Sequence, residues 1–118
     1  MNTLTIISIS LVILLHALFL ILEMFLWNTA FGRKTFSLTE EYARQSATLA
    51  ANQGLYNGFL AAGLLWGLLS TAGNNALIFF LSCIIIAGLY GGFTVKRSIL
   101  WIQALPSAIA LALLIFNK

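Results

Sequence analysis

Four long apolar runs organise this chain: residues 4–27, 49–69, 76–95 and 99–116. Each is close to the roughly 20 residues that carry a helix across a hydrocarbon core about 30 Å thick. The runs are continuous rather than alternating, so they predict helices and not the short period-two strands of a barrel. Between the first two lies the one sizeable polar stretch, residues 28–48, with Gly32-Arg33-Lys34 opening a loop. There Ser37-Leu38-Thr39-Glu40 has the form of a capping box, its hydroxyl and carboxylate placed to satisfy free amides at a helix start. No Pro or Gly follows before Gly54, which predicts a polar helical segment running straight into the second span; a separate helix lying on the headgroups is the alternative. Gly73-Asn74-Asn75 predicts a tight turn, Lys96-Arg97 an equally short connection, and Pro106 a kink in the last span. The expected product is an all-α membrane protein, a single domain folded as an up-down-up-down bundle of four transmembrane helices.

Composition supports the membrane class: 61% of residues are hydrophobic and 8% charged, where soluble domains carry roughly a quarter charged. The first run lacks a basic leader, exceeds the apolar length of a signal peptide, and no A-x-A site follows Trp27, so it reads as a span. A single cysteine, Cys83, leaves no intramolecular disulfide and no cysteine metal cluster.

Charge then sets orientation. Arg33, Lys34 and Arg44 lie in the first connection, Lys96 and Arg97 in the third, and none in the second; Lys118 alone marks the far end. Connections one and three share a side in a four-span chain, so the positive-inside rule predicts both in the cytoplasm of a bacterium, with both termini outside the inner membrane.

Polar residues inside the spans are the candidate chemistry, because in lipid each such group needs a partner. His16, Leu20, Glu23 and Trp27 share a face of the first helix; Gln53 and Asn57 share one on the second; Cys83, Tyr90 and Thr94 align on the third, and Gln103 with Ser107 on the fourth. Turned inward, these strips predict a polar cavity open to the cytoplasm. Glu23 is the only acid inside a span. It reads either as a ligand- or proton-binding group or as the partner of Arg33, Lys34, Lys96 or Arg97. His16 lies seven residues away, about 10.5 Å along the axis, too far for a direct dyad with Glu23. For His16, Gln53 and Asn57 the plainer role is interhelical hydrogen bonding.

Small residues form a second pattern. Gly54-Leu55-Tyr56-Asn57-Gly58-Phe59 is echoed by Gly88-Leu89-Tyr90-Gly91-Gly92-Phe93; Gly63 and Gly67 repeat the spacing, and Ala104, Ala108 and Ala112 make a similar stripe. GxxxG lets helix backbones approach closely, within one chain or in a homodimer. No Ser-His-Asp arrangement, metal-ligand set, phosphate loop or basic nucleic-acid surface is present, and no cofactor is implied.

The strings Glu23-Met24-Phe25-Leu26-Trp27, Gly32-Arg33-Lys34-x-Phe36 and Asn52-Gln53-Gly54-Leu55-Tyr56-Asn57-Gly58-Phe59-Leu60-Ala61-Ala62-Gly63 resemble the signature of a bacterial family of small membrane proteins, domain-of-unknown-function family 1304. The resemblance implies a four-span inner-membrane protein and supplies no activity, ligand or catalytic residue. Three functions fit the residues. One is a small transporter or binding protein for an apolar or amphipathic molecule, with Glu23, His16, Gln53, Asn57, Tyr90 and Gln103 as candidate ligands. Another is a lipid-binding or lipid-modifying protein, whose enzymatic form would use Glu23 and His16 as acid and base. The third is a structural protein whose polar groups only specify packing.

Overall fold

A computed structural model describes residues 1–71 and 73–117; Ala72 and Lys118 lie outside the described residues, so the expected role of Lys118 as an end marker does too. The chain is all helical: α1 (Thr3–Met24), α2 (Ala30–Phe36), α3 (Glu40–Leu69), α4 (Gly73–Thr94), a π-helical turn (Leu100–Ala104) and α5 (Leu105–Phe116). Two of these, α1 and α4, are long and apolar enough to cross a membrane, and residues Leu100–Phe116 form a shorter apolar helical stretch. The apolar part of α3 is diluted by Asn52, Gln53 and Asn57.

Local chemistry accounts for the boundaries. Asn2 caps α1, its Oδ1 accepting from the Thr5 amide at 2.9 Å and from the Thr5 hydroxyl at 2.8 Å. Thr29 caps α2: its hydroxyl donates to the Leu26 carbonyl at 2.7 Å and accepts from the Gly32 amide at 3.1 Å. Gly32 is required there, because a Cβ would sit on the Leu26 carbonyl.

Helix α2 was not among the predicted elements, and its presence removes the expected capping box. Ser37 is the left-handed residue that ends α2 (φ 56°, ψ 46°), its amide turned back to the Arg33 and Lys34 carbonyls. The α3 cap falls to Thr39, whose hydroxyl accepts from the Tyr42 amide at 3.1 Å. From Glu40, α3 runs uninterrupted for 30 residues, about 45 Å. The Gly73-Asn74-Asn75 turn is likewise displaced. These residues form the first turn of α4, where Gly73 lies against the Gly67 carbonyl.

Pro106 acts through the preceding turn. Lacking an amide hydrogen, it sits in the first turn of α5, and the π turn before it widens the helix so that the Leu105 amide reaches the Leu100 carbonyl.

The described chain divides into two compact units, Met1–Leu14 with Leu60–Lys118, and Leu15–Phe59. The first has an aliphatic core: Ile9 and Val12 of α1, Leu64 of α3, Leu77, Leu81 and Ile84 of α4, Ala110 and Leu114 of α5. Its helices approach at glycines. A Cβ on Gly63 would meet the Phe80 ring at 2.5 Å, one on Gly67 the Leu77 side chain at 2.7 Å, and one on Gly88 the Ala104 backbone nitrogen at 2.7 Å, while Gly92 lies under Leu100. Along the last helix the buried positions are Ala104, Ser107, Ala110 and Leu114; Ala108 and Ala112 of the expected stripe face outward. Four-residue steps drift about 40° each, so an i, i+4, i+8 stripe leaves the contact face that a mixed three- and four-residue spacing keeps.

The second unit contains the C-terminal part of α1, all of α2 and the N-terminal part of α3. Apart from Leu22 on α1, its buried positions are small or polar: Ala43, Ala50, Gly54 and Asn57 on α3, His16 on α1, and Gly32 on α2. Trp27 and Phe36 pack with ring centroids 4.9 Å apart.

Candidate functional site

The pair that the fold brings together is Glu23 and Asn57, 34 residues apart in sequence, with Asn57 Nδ2 donating to Glu23 Oε1 at 2.5 Å. Gly54 makes the contact possible. It lies one turn before Asn57, and a Cβ there would meet Met24 Cγ at 2.8 Å and Glu23 Cβ at 3.0 Å. Gly58 does the same for Leu20, whose Cδ1 would lie 2.5 Å from an added Cβ. The glycine pair thus lets α1 rest on the backbone of α3 at the level of the carboxylate. Asn57 is 5% exposed, and Glu23 is half-buried.

The carboxylate meets an amide rather than a cation. Among the described residues the ion pair is Arg44–Glu41, at 2.6 Å on the exposed start of α3, where Glu41 also accepts from Gln45 at 2.8 Å. Within the unit that holds Glu23, neither Arg33 nor Lys34 pairs with it among the described residues. Arg33 is held by Asn28 instead, and Arg97 lies over the Phe93 ring, 4.8 Å from its centroid.

The remaining candidates take separate places. His16 is fully buried on α1, its ring edge-on to Phe19 at 5.4 Å. Gln103 is half-buried on the π turn. Gln53 and Tyr90 face outward, against the expectation that each polar strip turns in. The small residues explain both. On α3 the buried line is Ala50, Gly54, Asn57, Ala61 and Leu64, and Gln53 flanks it. On α4, Gly88 and Gly92 face the π turn, so Tyr90, two residues from each, is carried about 200° round the helix and is 71% exposed. A cleft of about 170 Å³ lies among Ser8, Leu11, Leu105, Pro106 and Ile109, and none of the polar candidates lines it. Among the described residues, no three His, Cys, Asp or Glu side chains are grouped to hold a metal ion.

One partner escaped the sequence reading. Trp27 Nε1 donates to Ser46 Oγ at 2.9 Å, and that hydroxyl donates onward to the Tyr42 carbonyl at 2.6 Å. The signal was the indole itself: a half-buried Trp N–H needs an acceptor, and Ser46 is 19 residues away on a face that the polar start of α3 does not distinguish.

These features define an all-helical protein with two helices able to cross a membrane and an acid–amide pair between α1 and α3. The chain belongs to the DUF1304 family, described as proteins of unknown function, whose sequence profile matches residues 10–115. A relative from Lactococcus lactis subsp. lactis (strain IL1403), uncharacterized protein YpaA, is 31% identical over 114 residues, which cover 94% of this chain and 96% of the relative. No solved structure matches.

Proposed function

We propose that this chain is a multi-pass protein of the bacterial inner membrane whose Glu23–Asn57 pair binds the cationic or hydrogen-bond-donating end of a small amphipathic molecule. The four crossings are α1, the apolar part of α3, α4, and the π turn with α5, in an up-down-up-down bundle. Arg33, Lys34 and Arg44 on one connection and Lys96 and Arg97 on another favour both in the cytoplasm and both termini outside. The single observation that carries the membrane reading is the outer face of α1. Leu4, Ile7, Leu11, Leu14, Leu18 and Ile21 are each at least 45% exposed, as is Phe25 just past the helix end, while Thr5, Ile9, Val12, His16 and Leu22 of the same helix are buried. A long helix whose open face is this apolar belongs in lipid.

The binding reading rests on unused valence. A carboxylate offers about four acceptor sites, and Asn57 occupies one on Oε1. Oε2 keeps its capacity for an ammonium or an N–H donor, and an acid in a membrane segment is kept for function by default. Calorimetric titration of phenethylammonium into the full chain in nanodiscs tests it. Saturable binding to the native chain that is lost in Glu23→Gln supports the site, and equal binding to both removes Glu23 from it. Substrate-driven flux in proteoliposomes, abolished by the same substitution, would extend binding to transport.

A second reading, an accessory membrane protein in which the pair is only a clasp, is favoured by the near-complete burial of Asn57 and the close seating of Gly54 on Glu23. It predicts folding defects and no ligand response.

A further inference from the structure

Helix α2 carries a second polar group that neither the binding reading nor the packing uses. Arg33 Nη1 donates twice to Asn28, to its carbonyl at 3.1 Å and its Oδ1 at 3.0 Å. This orients the guanidinium and leaves the Nε and Nη2 edge without a hydrogen bond among the described residues. Two N–H groups in one plane match two oxygens of a phosphate. Lys34 beside it is exposed, and α2 contains no acid. Of the two acids that open α3, Glu41 is already engaged by Arg44 and Gln45.

The same short helix presents an apolar side chain. Phe31 is 62% exposed and shares a face with Lys34 and Thr35, three and four residues on. Phe25, just beyond the end of α1, is 69% exposed and continues the apolar outer face of that helix. The arrangement is built rather than incidental. Thr29 caps α2, Phe36 packs on Trp27, and Trp27 is tied to Ser46 of α3. An apolar ring with cations one turn away, at the point where an apolar helix ends, has the chemistry of a membrane surface: acyl chain below, phosphate above.

We propose that Arg33 and Lys34 form a headgroup site for an anionic glycerophospholipid, with Arg33 gripping the phosphate through its free edge and Phe31 set among the acyl chains. The inference rests on the membrane reading of the previous section and is independent of Glu23. The full chain is placed in nanodiscs of phosphatidylcholine mixed with phosphatidylglycerol, and the lipid retained after detergent extraction is weighed by native mass spectrometry. Retention of the anionic lipid should exceed that of the zwitterionic lipid about fivefold. The preference should disappear in Arg33→Gln/Lys34→Gln and survive in Lys96→Gln/Arg97→Gln. Inorganic phosphate added to pure phosphatidylcholine discs should not reproduce the stabilisation that phosphatidylglycerol gives.

Equal loss from both pairs would make the preference one of general charge and overturn the site. Stabilisation by free phosphate would overturn the lipid assignment. A chain that fails to enter nanodiscs at all contradicts the membrane reading, whereas one that enters and retains both lipids equally contradicts the headgroup site alone.

Discussion

Ile9, Val12, Leu64, Leu77, Leu81 and Ile84 are the large, fully buried hydrophobic side chains of the unit that joins the start of α1 to residues from Leu60 onward; in the unit Leu15–Phe59 the only large side chain so buried is His16. The first unit is held by aliphatic interdigitation. The second holds its helices with Ala43, Ala50, Gly54 and Gly58 at the contacts, and with hydrogen bonds from Asn57 to Glu23 and from Trp27 to Ser46. The difference teaches what each seam is able to do. Shape-matched packing of large aliphatic side chains decides the first, while polar contacts and close backbone approach decide the second. A polar seam is chemically more specific than an aliphatic one, and the proposed binding role of Glu23 draws on that specificity.

Mutations should separate the two units in order of size. The largest effect belongs to the aliphatic core: Leu81→Ala should destabilise the full chain by about 2–5 kcal/mol in denaturant titrations in micelles, since a fully buried leucine leaves a cavity. A smaller loss than that for Asn57→Leu would break the comparison. Asn57→Leu itself should cost about 1–2 kcal/mol, through the hydrogen bond it loses and the acceptor it strands. Combining it with Glu23→Leu should cost less than the sum, because the double change leaves no orphaned partner; additive losses would mean that the two side chains do not interact. Trp27→Phe should be the mildest, about 0.5–1.5 kcal/mol, with the ring still packed on Phe36 but the bond to Ser46 gone.

Much of the helical framework was legible in the sequence. Uninterrupted apolar stretches marked α1 and α4, and the absence of Pro and Gly before Gly54 marked the continuity of α3. Glu23 and Asn57 stood out as polar groups in apolar surroundings, and Gly54 and Gly58 as an approach surface. What was hidden depends on contacts distant in sequence. Ser37 and Thr39 are both plausible caps, and only the left-handed end of α2 assigns Ser37 to the helix before and Thr39 to the helix after. Gln53 and Tyr90 sit on faces whose burial is decided by which glycine line a neighbour occupies, which periodicity alone does not reveal. The π turn before Pro106 satisfies backbone that a simple kink would have left open.

Conservative replacement of Glu23 separates a role in recognition from one in packing most directly. Glu23→Gln keeps the side-chain shape and an oxygen for Asn57 Nδ2 while removing the charge. Measured together on the full chain in nanodiscs, thermal stability should stay close to that of the native protein while the stabilisation by phenethylammonium is lost. A variant that binds as before, or one whose stability falls as far as that of Asn57→Leu with no ligand effect in either protein, would contradict the account.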